Sequence, residues 1–336
     1  MTIPGIGTIA AEFAGDFRDV ETGGDGTFRV GADGVRRILT PLDGKADFIV
    51  YADKTLAYVK SALGHPALYL LAEARFEGPA EAVLMDLDGT SVRSEPFWMW
   101  IIERTVARLM DNPAFRLAPE DEPHVSGHSV SEHLQYCITK YCPTRNVEQA
   151  RVHYFDITRR EMAAITAGRG RADAFRPAPG LKEFLLELKG RGIRIGLVTS
   201  GLYEKAWPEI LAAFRTLGLG NPLNFYDAII SAGHAFRPPG ADEDEGQAGT
   251  LGELTPKPHP WLYAETARIG LGIPPERRHK AIGLEDSGAG VVAVRLAGFA
   301  CIGMAGGNIE KSGLRPLLHA RCETLAEALD IILGRR

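Results

Sequence analysis

Three apolar runs end in groups that could do chemistry together. Ala82-Val83-Leu84-Met85 stops at Asp86-Leu87-Asp88-Gly89-Thr90, Ile193 to Val198 stops at Thr199-Ser200, and Lys280 to Leu284 stops at Glu285-Asp286. Between the last two stands Lys257, in Thr255-Pro256-Lys257-Pro258. Carboxylates can act as nucleophile, general acid/base or ligand to a hard cation, while hydroxyls and an ammonium stabilise developing negative charge. Each stretch alone also has a plain reading. Asp-Gly is a common hairpin turn, Thr199 and Ser200 could cap the next helix, Lys257 could be a solvated surface lysine, and Glu285-Asp286-Ser287 could cap a helix.

The elements that must carry these groups favour the joint reading. Continuous apolar runs of this length suit strands buried on both faces of a parallel sheet. Helical patterns alternate with them: LKEFLLELKGRG before the strand at Ile193, Glu204 to Leu217 before Tyr226 to Ser231, Trp261 to Ile269 before Lys280 to Leu284, then Val291 to Ala297, Ala300 to Gly303 and Leu325 to Leu333. Such alternation predicts an α/β fold with a right-handed parallel sheet, and ligands in such sheets bind beyond the carboxyl ends of the strands. Residues far apart in sequence would converge there.

Between Glu95 and about Arg176 the stretches WMWIIERTVARLM, VSEHLQYCITKYC and VEQARVHYFDITRREMAAIT read as a helical insertion. The expected organisation is therefore an N-terminal extension, 1–79, an α/β core formed by 80–94 and 177–336, and a helical cap, 95–176. The extension reads as brief strands with one helix over Lys54 to Leu63. Residues 237–255, RPPGADEDEGQAGTLGELT, are expected to form a mobile surface loop ahead of Lys257 that modulates access.

The 336 residues are 45% hydrophobic and 24% charged, which suits a globular chain of two or three units. A formal net charge of -5 with no basic stripe argues against a nucleic-acid partner. Four cysteines, none in a CxxC pair, are too few for a disulfide framework and suit a reducing cytoplasm. No basic leader opens the sequence and no apolar run approaches the roughly 18 residues of a membrane span, so a soluble protein is expected.

In their order and spacing the four stretches resemble the motifs of the haloacid dehalogenase (HAD) superfamily: DxDGT, a strand-terminal Thr or Ser, a Lys and an acidic pair. The resemblance covers about residues 80 to 310. The stretch GLEDSGAGVVAVRLAG is similar to the last motif in the branch containing beta-phosphoglucomutase and small sugar phosphatases. It implies a Rossmann-like doubly wound core with an inserted cap, and Mg²⁺-dependent hydrolysis of a small phosphorylated sugar or polyol through an aspartyl-phosphate on Asp86.

By that resemblance Asp88 is the general acid/base, Thr199 donates to a phosphoryl oxygen, and Lys257 offsets charge between that oxygen and Asp86. Mg²⁺ would be held by Asp86, the carbonyl of Asp88 and Asp286, with Glu285 on the ion or just behind it. Ser200 and the cap residues Glu95 and His128 are candidate substrate contacts. Trp98 reads as core and His133 as an exposed helix residue.

Asp88 disfavours the true dehalogenases. The phosphoglucomutases carry a His twelve residues after the nucleophile, where this chain has Trp98, and a Lys and an Arg flanking a cap glycine, where it has Ser126 and Val130 around Gly127. Water is then the expected acceptor, with a mutase or a non-catalytic binding protein as alternatives. The extension is expected to pack on the core, mediate a dimer contact or restrict access. A monomer and a homodimer both remain open.

Overall fold

The computed structural model describes residues 2–60, 66–121, 130–171, 173–232 and 254–335. Contacts divide the chain into two compact units: Met1–Ser91 with Pro179–Tyr203 and Leu223–Arg336, and Val92–Ala178 with Glu204–Pro222. The N-terminal extension thus groups with the α/β core, and residues 204–222, which pattern alone gives to the core, group with the inserted helices. The loop expected at 237–255 lies outside the described residues up to 253.

The first unit begins with an antiparallel meander of β1 (Phe17–Asp19), β2 (Arg37–Pro41), β3 (Ala46–Val50), β4 (Thr55–Val59) and β5 (Ala67–Leu70), paired in sequence order. The helix expected over Lys54 to Leu63 is replaced by β4, residues 61–65 lying outside the described ones. β4 pairs with β3 on one side and β5 on the other, and its Thr55, Tyr58 and Val59 suit a pleated, half-buried surface better than a helix.

The second sheet is the expected one. β6 (Ala82–Asp86), β7 (Arg194–Thr199), β8 (Ala228–Ser231), β9 (Ala281–Glu285), β10 (Ala300–Met304) and β11 (Ala320–Cys322) pair in parallel in the order β8-β7-β6-β9-β10-β11. Every residue of β6, β9 and β10 is buried, which is why these strands read as unbroken apolar runs. β6 lies between β7 and β9: the chain runs from β6 through β7 to β8 on one side, then crosses to β9 and runs out through β10 and β11 on the other. A crevice forms at such a point beyond the strand ends.

The meander and the parallel sheet share one apolar core. Ile3, Phe17, Phe48 and Leu71 from the extension cluster with Leu84, Val292 and Leu314. Polar ties reinforce it: Arg315 bonds both oxygens of buried Asp16 at 2.8 and 2.5 Å, and Arg295 reaches the carbonyls of Gly5 at 2.7 Å and Ala72 at 3.3 Å. A guanidinium taken from water needs such acceptors.

The second unit contains the helices Glu95–Leu109, Val130–Tyr141, Val147–Thr166 and Tyr203–Leu217. Two-residue strands, Val92–Arg93 and Arg176–Pro177, pair antiparallel where the chain enters and leaves it. The helix Tyr203–Leu217 belongs here because of its side chains. The Trp98 indole donates to Glu209 at 3.1 Å, Lys205 sits 3.7 Å over the Trp98 ring, and Arg215 donates to the carbonyls of Ile165 and Thr166. His133, expected on the surface, is buried in its helix.

Buried Asp121 accepts from Tyr136 at 2.8 Å, Lys140 at 2.5 Å, Tyr141 and the Ala118 amide. All four cysteines are buried. Among the described residues no helix is long and apolar enough to cross a membrane.

Candidate active site

The carboxyl ends of β6, β7 and β9 bring the sequence-predicted groups of the first unit together. Asp86 ends β6 and is buried, while Asp88, two residues on, is half-buried. Between Asp88 and Thr90 the chain turns through Gly89 at φ 86°, a conformation that suits glycine. A Cβ there would lie 2.0 Å from an Asp286 carboxylate oxygen, so the glycine also leaves room for that acid. The Ser91 hydroxyl, 2.5 Å from the Asp86 carbonyl, closes the turn.

Thr199, the last residue of β7, donates its hydroxyl to Asp88 at 3.2 Å and accepts from the Gly201 amide at 2.9 Å. Its neighbour Ser200, a candidate substrate contact, uses its hydroxyl oxygen to accept the Lys257 amide at 3.1 Å. The Lys257 ammonium is buried between Asp86 Oδ1, which it contacts closely, and Glu285 Oε1 at 2.5 Å.

Glu285, at the end of β9, is fully engaged by the protein. Oε1 also accepts from the Tyr263 hydroxyl at 2.5 Å, and Oε2 accepts from the Ser287 amide at 3.3 Å and hydroxyl at 3.0 Å. A Cβ at Gly290 would lie 1.9 Å from the Glu285 carboxyl carbon, so the second glycine of Ser287-Gly288-Ala289-Gly290 makes space for this acid. Ser287 also caps the following helix, accepting from Gly290 at 3.1 Å. The capping reading of this motif thus holds, and the same stretch brings two acids to the end of β9. Asp286 is held through its backbone by the Asn308 amide at 3.0 Å.

The electrostatics follow from this crowding. Burial pushes the Asp86 carboxyl well above its ordinary range, Glu285 pushes further, and Lys257 opposes both. Burial works against the charge of Lys257, yet Asp86 and Glu285 more than offset it and hold the ammonium above its usual value. Among the described residues the Lys257 ammonium meets Asp86 and Glu285, while Asp286 and Asp88 add further negative charge around Asp86.

A hard divalent cation fits this donor set. Carboxylate oxygens of Asp86, Glu285 and Asp286 lie within 4.8 Å of one another, and oxygen-only ligands suit Mg²⁺. Glu285 meets the ammonium, the phenol and Ser287, and Asp86 Oδ1 shares the same ammonium.

Tyr263, Gly290 and Asn308 were not singled out by sequence, and Ser287 was read only as part of a helix cap. Only Gly290 and Ser287, fixed in spacing beside the acidic pair, carry a readable signal. Of the cap candidates, Glu95 lies exposed in the first turn of the helix Glu95–Leu109, while His128 lies outside the described residues.

Residues 80–298 match the model of a hydrolase family described as haloacid dehalogenase-like hydrolase. No curated protein matches the sequence. Similar solved structures include CbbY from Rhodobacter sphaeroides in complex with xylulose-1,5-bisphosphate, at 22% identity and TM-score 0.50 over 74% of this chain and 96% of that one. A protein from Haemophilus somnus described as a predicted phosphoglycolate phosphatase gives 18% identity and TM-score 0.54 over 76% and 98%. A HAD hydrolase of family IA, variant 3, from Entamoeba histolytica gives 17% and 0.53 over 75% and 99%. At these identities the likeness is one of fold.

Proposed function

Because the chain belongs to the haloacid dehalogenase-like hydrolase family, we propose that it hydrolyses a small phosphorylated sugar or polyol through an aspartyl-phosphate on Asp86. The observation that carries this reading is the meeting of Asp86, Lys257, Asp88 and Thr199 at adjoining strand ends.

In the first step an Asp86 carboxylate oxygen attacks phosphorus and the bond to the ester oxygen breaks. Asp88, close by on the same turn, gives a proton to the departing alkoxide. Lys257 offsets charge on Asp86 and the phosphoryl oxygens, and Thr199 can turn its hydroxyl from Asp88 to the transferring group. In the second step Asp88 takes a proton from water as the water oxygen attacks phosphorus, releasing inorganic phosphate and restoring Asp86. Asp86, Asp286 and the carbonyl of Asp88 would hold Mg²⁺. When bound, the ion supplies the positive charge that lets a phosphate dianion approach these acids.

Release of inorganic phosphate from a panel of phosphorylated sugars, polyols and short acids, with Mg²⁺ and with chelator, tests this on wild type and Asp86→Asn. Magnesium-dependent release that vanishes in the variant is expected. Interconversion of sugar phosphates without release would make the protein a mutase, and no turnover of any kind from folded protein would make it a binding protein.

A further inference from the structure

Tyr69 lies on β5, the edge strand of the N-terminal meander, on the side opposite exposed Leu68 and Leu70. Its hydroxyl is hydrogen-bonded to Nδ1 of His259 at 2.8 Å, across 190 residues of chain. The ring meets His259 and Trp261 edge to face, with centroids 5.9 and 6.3 Å away.

His259 stands two residues after Lys257, in a stretch from Leu254 to Pro260 that has no helix or strand to hold it. Near Lys257 that stretch is tied by the Lys257 amide to Ser200, by a turn from His259 to the Pro256 carbonyl at 3.2 Å, and by Tyr69. Tyr69 itself is firmly placed, since its strand pairs with β4 and the meander is fastened to the core through Asp16, Arg295 and the shared apolar cluster.

We propose that Tyr69 is a positioning residue for Lys257: through His259, the N-terminal meander holds the loop that aims the Lys257 ammonium between Asp86 and Glu285. This assignment rests on the phosphatase reading above and gives the extension a part in turnover. An ammonium that must meet two carboxylates at once tolerates little displacement, and small misplacements of a charged group lower the rate of the chemical step more than binding.

The experiment uses full-length protein, with steady-state hydrolysis of para-nitrophenyl phosphate in Mg²⁺ and thermal melting as readouts. Tyr69→Phe is expected to lower kcat about tenfold while KM stays within about twofold and the melting temperature is unchanged. His259→Phe cuts the same bond from the other side and should give the same split. The double variant should be no slower than either single one. Asp16→Asn loosens a tie that does not touch the Lys257 loop, and should lower melting while kcat holds.

A kcat within about twofold of wild type in Tyr69→Phe, additive effects in the double variant, or an equal loss of kcat in Asp16→Asn would each overturn the assignment while leaving the phosphatase reading intact. A wild-type protein that hydrolyses no phosphomonoester would overturn both.

Discussion

Asp86 and Asp121 are both buried acids beside a lysine, one in each unit, and they behave in opposite ways. Burial alone would raise Asp121, but Lys140, Tyr141, Tyr136 and the Ala118 amide more than offset it and hold its carboxyl at about 2. Asp86 is pushed up, because burial is joined by Glu285, Asp286 and Asp88, with Lys257 as the opposing charge. Burial therefore does not separate a structural acid from a reactive one. The ratio of donors to competing acids does. Asp121 is an acid whose lone pairs are spent on donors, whereas Asp86 is one among several acids, the setting that the proposed cation and nucleophile roles require.

The comparison can be broken most forcefully at Asp86. Asp86→Asn should keep the fold by circular dichroism and lose at least about 10⁴-fold in kcat. Next comes Lys257→Ala, for which kcat should fall about 10²- to 10³-fold, a loss read by steady-state kinetics.

In the second unit the response should appear in stability instead. Asp121→Asn should cost about 1–3 kcal/mol in urea denaturation, because the buried carboxylate that accepts two phenols and an amide is replaced by a group that matches those donors poorly. The pH dependence follows from the lowered Asp121 value. Protonation is favoured more in the unfolded chain, so the stabilisation is full above about pH 4 and fades as pH falls toward about 2. An Asp121→Asn penalty that stays constant down to pH 2 would break the comparison. The smallest effect is expected from Trp98→Phe, which removes the indole bond to Glu209 and should cost about 1 kcal/mol by denaturant titration.

What sequence made legible was the set of groups that terminate buried parallel strands. Asp86, Thr199 and Glu285 each follow an apolar run, and a parallel sheet places such ends side by side. The misread segment is instructive. Leu56, Val59 and Leu63 fall at helical spacing, yet pairing with β3 and β5 claims Thr55–Val59 as a strand. Local pattern carries no record of such partners. The same holds for Tyr263, which reads as one more apolar helix residue and reaches Glu285 only in the folded chain, and for Tyr69, whose partner is 190 residues away. His133 was misplaced because its helix buries a wider face than its apolar residues alone mark out.

The burial of Cys137, Cys142, Cys301 and Cys322 bears on how this protein can be observed. Thiols react as thiolates, and burial pushes Cys137 up to about 12 and raises Cys142 and Cys301 as well. A maleimide dye should leave the native chain unlabelled. A cysteine introduced at Val152, 68% exposed on the helix Val147–Thr166, would then be the one reactive thiol. Fluorophores could be attached to the inserted helices without removing any native cysteine, and their signal followed as substrate is added.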